Sequence, residues 1–376
     1  MTKILFISHD ASRTGAPMVL LHLLNWLRIN KPGIQVDLLV LSGGNLESEL
    51  KKYAKHYSNY EDCLKKFKIN FLYKVLIKLK FISLVNFKKK FIKKISNQNY
   101  NLVYANTVVS LPFARKIVDE NKNAKLILHV HELQAVIELL ALDFENCSKK
   151  VDKFITPANI VKENLINSWS LPEQKIELVY ECATIKEKSK EINNKILFTI
   201  GASGTVDWRK GYDVFIQVAR LLCKLQPVNN FEFVWVGKIY PTEEITIKQD
   251  LFKLGLIDKV FFIGEVNNPH DYYNNFDVFL MTSREDPFPL VSIEVGLLGK
   301  PIISFEKAVG TNEILQDAGG FIVPYLSIED MAQKALLYYQ NPSLCEEHGN
   351  LNKIAFSKFT PDIICPQLWN IIEQMK

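Results

Sequence analysis

The stretch SREDPFPLVSIEVG, from Ser283 to Gly296, holds two carboxylates eight residues apart, Asp286 and Glu294, around a Pro-x-Pro loop. The preceding run FDVFLMTS, residues 276–283, is apolar with polar ends, which predicts a buried strand. The run that follows the prolines, residues 290–298, predicts the first turns of a helix. The stretch is therefore typical of a strand–loop–helix unit of an α/β sheet, with one acid in the loop and the other in the helix.

The start of this predicted helix, near Leu290 and Val291, offers backbone N–H groups that lack acceptors within the helix. Such groups form a site for an anion. The carboxylates of Asp286 and Glu294 can accept hydrogen bonds from sugar and ribose hydroxyls. A loop acid, a helix acid and a helix N-terminus together suit a sugar nucleotide. The alternative is that Asp286 lies in a solvated turn and that Glu294 is an ordinary helical residue.

Both halves of the chain alternate short apolar runs with helical patterns. The first half runs from KILFISH at Lys3 to KIELVYE at Glu181, and a second series begins with KILFTIGAS at Lys195. Apolar strands separated by helices predict parallel sheets covered on both faces, with ligands at the carboxyl ends of the strands. Residues 184–194 are polar and lack periodicity, so we expect the linker there. The predicted domains are residues 1–188, with a C-terminal helix at 361–376 that packs back on them, and residues 189–360.

Polar residues follow the predicted strands of the first half. The loop at residues 12–17 contains Gly15, which would let the backbone approach a ligand closely. His129 and His131 end the strand KLILHVHE on one face, with His131 nearer the carboxyl end. The alternatives are a tight turn and a structural histidine. The other candidates at this edge of the sheet are His9, Asp10 and Glu132.

In the second half, Trp208-Arg209-Lys210-Gly211 follows the first strand. Two cations before a helix suit a pyrophosphate, because they offset the charge that grows on a leaving nucleotide. An exposed basic turn is the alternative for Arg209 and Lys210. The segment Gly310-Thr311-Asn312-Glu313 also follows an apolar run, which makes Glu313 a further candidate.

Together these motifs resemble those of the family 4 retaining glycosyltransferases, or glycosyl transferases group 1, which have the GT-B fold. Asp286 and Glu294 are similar to the E-x7-E motif of the family, and Lys210 matches the lysine of its K-G pair. The resemblance covers nearly the whole chain and implies two doubly wound Rossmann-like domains that face a cleft. Three further positions resemble family residues near the donor: Gly15 in a glycine loop, His131 at a strand end and Glu313 in a G-x-x-E-I segment.

The resemblance implies that a hexose-type sugar moves from a nucleotide-diphosphate sugar, with a UDP-sugar favoured, to a glycan or lipid-linked acceptor. It implies retention of the anomeric configuration and neither a metal ion nor another cofactor. By this resemblance, His131 and Asp286 contact the sugar, and Glu294 binds the ribose. The diphosphate is stabilised by Lys210, Arg209 and the N–H groups of Leu290 and Val291. The residues expected nearby are Gly15 and Glu313 on the donor side, and His9, Asp10 and Glu132 on the acceptor side.

Two positions depart from the family pattern. Asp286 stands where the family usually has glutamate, so its carboxylate reaches one methylene less far. The arginine that usually precedes the lysine is absent, because that region reads Ala202-Ser203-Gly204, and Arg209 is the nearest substitute. These departures leave open a non-catalytic GT-B partner subunit or a sugar-binding protein as the alternative.

The cysteine content and the apolar runs indicate which sites and which cellular compartment to expect. Six cysteines are scattered over 376 residues without a C-x-x-C pair or a His-rich spacing, so we expect reduced thiols and no metal site. No signal peptide is evident, and no uninterrupted apolar run approaches the ~18 residues that a membrane span needs. We therefore expect a cytoplasmic protein, and the lysine-rich segment described next predicts peripheral attachment to the inner face of the membrane.

The positive charge is concentrated in one segment. Residues 63–96 carry eleven lysines and no acid, whereas the rest of the chain holds 35 basic and 41 acidic residues. The apolar residues at helical spacing between these lysines are Phe67, Phe71, Leu72, Val75, Leu76, Leu79 and Ile82. This pattern predicts that Cys63–Ser96 docks on an anionic membrane surface, and a packed helix pair with a solvated basic rim is the alternative. Nucleic acid is not expected, because we find no strand platform or recognition-helix motif.

Overall fold

The structure is a computed structural model that describes residues 2–69, 84–185, 197–226, 230–315 and 319–375. It divides into two compact units. The first is Met1–Glu181 with Pro361–Lys376, and the second is Cys182–Thr360. The predicted boundary between residues 188 and 189 lies outside the described residues. The C-terminal helix, Pro361–Gln374, packs against Gly15–Asn30 of the first unit.

The first unit is built on a seven-stranded parallel sheet in the order β3-β2-β1-β4-β5-β6-β7. The strand sequences are mostly apolar because helices cover both faces of the sheet. In β1, for example, five of six residues are buried. The strand order reverses between β1 and β4, and ligands of such sheets bind where this happens. The strands are β1 Lys3–Ser8, β2 Gln35–Val40, β3 His56–Asn59, β4 Leu102–Asn106, β5 Lys125–His129, β6 Lys153–Thr156 and β7 Ile176–Leu178.

Helices of the first unit bury their apolar residues against the sheet and against one another. In α5, for example, Leu111, Phe113, Ala114 and Ile117 are buried, and Pro112 stands in the first turn, where its missing N–H costs nothing. The helices are α1 Gly15–Asn30, α2 Glu47–Leu50, α3 Tyr60–Ile69, α4 Leu84–Ser96, α5 Leu111–Glu120, α6 Gln134–Leu140, α7 Phe144–Ser148 and α8 Asn159–Asn167.

The second unit has a six-stranded parallel sheet in the order β10-β9-β8-β11-β12-β13, which reverses between β8 and β11. Its strands are β8 Phe198–Ser203, β9 Phe231–Val236, β10 Val260–Gly264, β11 Val278–Met281, β12 Ile302–Phe305 and β13 Gly320–Val323. Its helices are α9 Tyr212–Leu225, α10 Pro241–Leu254, α11 His270–Tyr273, α12 Leu290–Leu297, α13 Asn312–Leu315, α14 Ile328–Gln340 and α15 Pro342–Phe356. The two doubly wound α/β sheets confirm the predicted fold class.

The lysine-rich segment is described in part. Of its predicted apolar stripe, Phe71, Leu72, Val75, Leu76, Leu79 and Ile82 lie outside the described residues. In α4, Phe91, Ile92 and Ile95 are buried in the core of the first unit, and Phe91 packs edge-on against Tyr60. The exposed positions of the helix include Lys89, Lys90, Lys93 and Lys94. This helix therefore has the structure of the alternative interpretation, a packed helix with a basic rim.

Two further expectations concern the cysteines and membrane-spanning helices. All six cysteines are free thiols. Among the described residues, no helix combines the length and the apolar character needed to cross a bilayer.

Candidate active site

In the second unit, the candidate residues follow two neighbouring strands, β8 and β11. Residues 204–211 lead from β8 to α9, and residues 282–289 lead from β11 to α12. Gly211 ends the first loop in the left-handed region, with φ of 70°, and a Cβ there would lie 2.0 Å from the carbonyl oxygen of Thr282. The Thr282 hydroxyl donates to the Lys210 carbonyl at 3.0 Å. The two loops are therefore in direct contact, and only glycine permits this approach.

This contact brings together four polar side chains, which we call the donor cluster: Arg209, Lys210, Ser283 and Asp286. Lys210 Nζ lies 2.5 Å from Asp286 Oδ2, and Arg209 Nη1 lies 3.3 Å from Oδ1. Ser283 Oγ donates to Oδ2 at 3.0 Å. The exposed fraction is 12% for the Lys210 side chain and 6% for that of Asp286. The cluster is a buried carboxylate held by two cations.

Burial and charge act in opposite directions on this carboxylate. Burial by itself raises the pKa of Asp286, but the charges of Lys210 and Arg209 and the hydrogen bonds from Lys210 and Ser283 outweigh it, so the pKa lies below its ordinary value. For Lys210, burial is the largest effect and lowers the pKa of the ammonium, with Asp286 opposing it. A buried ion pair whose two pKa values are both displaced from their ordinary values is typical of a functional site.

Arg284 holds the two loops of the donor cluster together, although no sequence motif singles it out. Its backbone N–H donates to the Arg209 carbonyl at 2.7 Å, and its guanidinium Nη1 donates to the Trp208 carbonyl at 2.8 Å. Nη1 and Nη2 also contact both carboxylate oxygens of Asp213, at 2.9 and 2.7 Å. Such bidentate pairs are directional, so they hold the Trp208–Gly211 loop against the loop after β11.

Helix α12 begins at Leu290, directly after the second loop. Pro289 precedes it in an extended conformation, its first turn contains no acid, and among the described residues no side chain caps it. The N–H groups of Leu290 and Val291 thus point out of a helix N-terminus that carries no negative charge of its own.

Glu294 lies in the second turn of α12, and its side chain is 20% exposed. Its Oε1 lies 3.7 Å from Nε2 of His270, whose side chain is 7% exposed. Burial raises the pKa of the neighbouring Tyr273, and the charge of Glu294 adds to this effect. His270 is thus a second residue that sequence reasoning missed, since NPHDYYN matches no motif with a known role.

The segment that carries Glu313 is tied to the donor cluster through the backbone. Asp286 N–H donates to the Ala308 carbonyl at 2.8 Å, and Gly310 N–H donates to the Asp286 carbonyl at 3.0 Å. Glu313 then stands in the first turn of α13, half-buried. The structure therefore brings Arg209, Lys210, Asp286 and this segment together within the second unit.

In the first unit, His131 follows β5 and both of its ring nitrogens have partners. Nδ1 lies 2.7 Å from Glu181 Oε1, and Nε2 lies 3.3 Å from Asn106 Oδ1. Its ring centroid is 3.9 Å from that of His129, as expected for residues on one face of a strand. Glu181 was not singled out from the sequence, because it lies 50 residues away along the chain.

The acceptor-side candidates of the first unit lie around His131. Glu132 Oε2 accepts from the N–H groups of His131 at 2.8 Å and Val108 at 3.3 Å, and burial raises the pKa of Glu132 to about 7. Burial also lowers the pKa of His9, whose Nε2 lies 3.5 Å from Asp10 Oδ2. Gly15 opens α1, and a Cβ there would meet no atom of the described residues within 4 Å.

Within the described residues, no group of three or more His, Cys, Asp or Glu side chains is placed to hold a metal ion.

Comparison with known proteins points to one family. Residues 184–355 match the family described as Glycosyl transferases group 1. An uncharacterized glycosyltransferase of Haemophilus influenzae is 29% identical over 160 residues, which are 42% of this chain and 43% of that protein. The capsular polysaccharide biosynthesis glycosyltransferase CapM of Staphylococcus aureus is 26% identical over 250 residues, 65% of this chain and 63% of that protein. The matches thus span about half the length of these curated relatives.

Two solved structures resemble the whole chain. HepE of Anabaena, in complex with UDP and glucose, superposes with a TM-score of 0.80 at 17% identity, covering 100% of both chains. Sucrose-phosphate synthase of Thermosynechococcus elongatus gives a TM-score of 0.77 at 18% identity, covering 100% of this chain and 99% of that one. The predicted GT-B fold is therefore confirmed. The matches support the group 1 family, and the finer assignment to family 4 stays a prediction.

Proposed function

We propose that this chain is a family 4 retaining glycosyltransferase, which moves a hexose-type sugar from a nucleotide-diphosphate sugar to a glycan or lipid-linked acceptor. The observation that carries the proposal is the donor cluster, where Lys210 Nζ and Arg209 Nη1 hold Asp286 at 2.5 and 3.3 Å directly before the uncapped helix of Glu294. We place the reaction in the synthesis of a cell-surface polysaccharide or glycoconjugate, in line with the capsular role in the name of CapM.

In this proposal the diphosphate binds at Lys210, Arg209 and the N–H groups that open α12. An ammonium has three donors, and Asp286 accepts one of those of Lys210 in the structure, so donors remain for phosphate oxygens. Asp286 Oδ1 accepts from Arg209 and retains a lone pair for a sugar hydroxyl. Glu294 accepts from the ribose diol. HepE is bound to UDP and glucose, which favours a UDP-sugar as the donor here.

The proposed step is a front-face displacement. The bond from the anomeric carbon to the diphosphate oxygen breaks, and the acceptor oxygen bonds to the same face of that carbon. The acceptor proton passes to the leaving diphosphate. Lys210 and Arg209 stabilise the negative charge that grows on the diphosphate, and this charge is larger in the transition state than in the bound donor. His131 of the first unit is assigned to the sugar.

Binding and turnover test the proposal separately. Calorimetry with UDP and GDP should show binding of one nucleotide, and ligand that binds only the folded chain should raise its melting temperature. Hydrolysis or transfer from the matching nucleotide sugar should follow. Nucleotide binding without any turnover would favour a non-catalytic sugar-nucleotide-binding protein, and the absence of both would contradict the proposal.

Turnover should survive a metal chelator. The proposal assigns the diphosphate charge to Lys210, Arg209 and helix N–H groups rather than to Mg²⁺ or Mn²⁺, so excess EDTA should leave the initial rate unchanged. The rate should be measured with and without EDTA, and again after each divalent ion is restored. Activity that disappears in EDTA and returns only with a divalent ion would contradict these roles.

The basic rim of α4 should bind an anionic membrane surface. Each lysine near such a surface contributes ~1 kcal/mol, so changing four of them to serine should weaken vesicle binding by up to about 10³-fold. Co-sedimentation with phosphatidylcholine vesicles, with and without phosphatidylglycerol, measures the effect. The substituted residues are Lys89, Lys90, Lys93 and Lys94, and the matched control changes four exposed lysines of the second unit, Lys224, Lys253, Lys353 and Lys358. Equal loss in both variants would assign the binding to total charge instead of this rim.

A further inference from the structure

Three leucines stand out of the first unit at the end of α6. Leu139, Leu140 and Leu142, which we call the leucine ridge, are 72%, 59% and 92% exposed. The ridge is held by its own backbone, since Ala141 N–H donates to the Ile137 carbonyl at 2.9 Å and Phe144 N–H donates to the Ala141 carbonyl at 2.7 Å. Adjacent exposed leucines on a fixed turn are unusual for a surface that faces only water, and they mark an interaction site.

An apolar groove of about 240 Å³ runs beside the leucine ridge. Its lining includes Leu140 and Leu142, together with Val108, Leu111 and Phe144. Val108 connects the groove to the acceptor-side residues, because its N–H donates to Glu132 Oε2 at 3.3 Å. The groove and Glu132 therefore share Val108 as a neighbour.

A lysine of α4 contacts α5, the helix whose first residues line the groove. Lys88 Nζ lies 4.2 Å from the ring centroid of Phe113, which stands in the first turn of α5 beside the groove residues Leu111 and Pro112. Two further apolar residues at the start of α4, Leu84 and Val85, are 47% and 62% exposed. The start of α4 thus carries both lysines and exposed apolar side chains, and this combination binds an anionic lipid surface.

The acids near the leucine ridge have cationic or amide neighbours. Asp143 Oδ2 lies 3.8 Å from Arg115 Nη1, and Glu145 Oε1 lies 3.8 Å from Lys149 Nζ. Glu138 accepts from Gln134 at 2.6 Å. Their repulsion of an anionic surface is therefore reduced locally, while the lysines of α4 carry no matching acid on their own helix.

We propose that the leucine ridge inserts into the headgroup region of an anionic bilayer, with the lysines of α4 on the lipid phosphates and the groove taking lipid hydrocarbon. This inference rests on the proposed function, because it presents a lipid-linked acceptor to the first unit. It differs from docking by the lysine-rich segment alone, since the described apolar stripe of α4 is buried in the core and the inserting residues are instead Leu139, Leu140 and Leu142.

A tryptophan at position 142 tests the insertion directly. With vesicles of phosphatidylcholine and phosphatidylglycerol, the difference spectrum between Leu142→Trp and the wild-type chain should shift to shorter wavelength, because the indole leaves water. The double variant Leu139→Ser/Leu142→Ser should bind these vesicles roughly tenfold more weakly or worse. Its matched control is Ile245→Ser/Phe252→Ser, which changes two residues of the second unit that are 65% and 70% exposed. The control should bind as the wild type does.

Two outcomes would overturn the inference. The first is an unshifted spectrum, and the second is equal vesicle binding by the leucine double variant and the wild type. UDP binding and donor hydrolysis, measured on the same samples without vesicles, keep the proposed function separate: both should be unchanged in the leucine double variant. Loss of insertion with intact UDP binding and hydrolysis contradicts the leucine ridge alone, whereas a wild-type chain without either activity contradicts the proposed function.

Discussion

Replacing Lys210 by alanine is expected to lower kcat by about 10²–10³, the usual cost of removing one donor that stabilises developing charge. The Lys210 ammonium is 2.5 Å from Asp286 Oδ2 and its side chain is 12% exposed, so water replaces it poorly. Because the charge on the leaving diphosphate grows toward the transition state, kcat should fall more than KM rises. Initial rates at several donor concentrations, with the acceptor saturating, give both constants.

A second variant separates this chemical effect from a folding effect. Lys210→Ala leaves Asp286 buried with Arg209 as its remaining described cation, and breaking a buried pair costs about 3–5 kcal/mol of stability. Lys210→Ala/Asp286→Asn also removes the buried carboxylate charge that lost its lysine, so its melting temperature should recover while kcat stays low. A single variant that folds and keeps the wild-type kcat with only a raised KM would limit Lys210 to ground-state binding.

The fold was readable from the sequence because its strands are buried on both faces. The apolar run at residues 276–283 predicts a strand, and the structure has β11 at Val278–Met281 with Thr282 and Ser283 buried after it. The order of the strands was not readable in this way. Pairing of β1 with β4, or of β8 with β11, depends on contacts between segments that local periodicity does not encode.

The same limit applies to the site. The sequence identified Lys210 and Asp286 in separate roles, but their contact joins residues 76 positions apart. Arg284 and Asp213 are 71 positions apart, and neither matches a motif that would have drawn attention to it. Candidate ligand-binding side chains lie in loops with a recognisable short motif. Side chains that orient them through tertiary contacts have no such local motif.

The lysine-rich segment shows a different limit. An apolar stripe at helical spacing fits the interior of a protein as well as a lipid surface, because both remove the same side chains from water. In α4 the interior holds Phe91, Ile92 and Ile95. The exposed leucines at 139–142 were overlooked because Gln134–Leu140 is short and gives no amphipathic pattern of its own.

Replacing Glu294 by alanine is expected to remove most of the affinity for the nucleoside diphosphate. Two hydrogen bonds from ribose hydroxyls to a carboxylate are worth ~1.5–3 kcal/mol each, so the loss raises Kd by about 10²–10⁴. The side chain is 20% exposed and stands in the second turn of α12, after the N–H groups assigned to the diphosphate. Calorimetry on the folded variant measures the change directly.

Two controls show whether the carboxylate itself is responsible. Glu294→Gln keeps the shape and one acceptor oxygen, so it should bind with an affinity between those of the alanine variant and the wild type. Glu244→Ala removes an acid of α10 that is 53% exposed and should leave binding unchanged. Glu294 Oε1 lies 3.7 Å from His270 Nε2, so the alanine substitution also removes this contact. The melting temperature of the variant is therefore compared with that of the wild type, to show that it is folded. A folded Glu294→Ala chain that binds UDP as tightly as the wild type would remove Glu294 from the donor site and leave the donor cluster to account for the nucleotide.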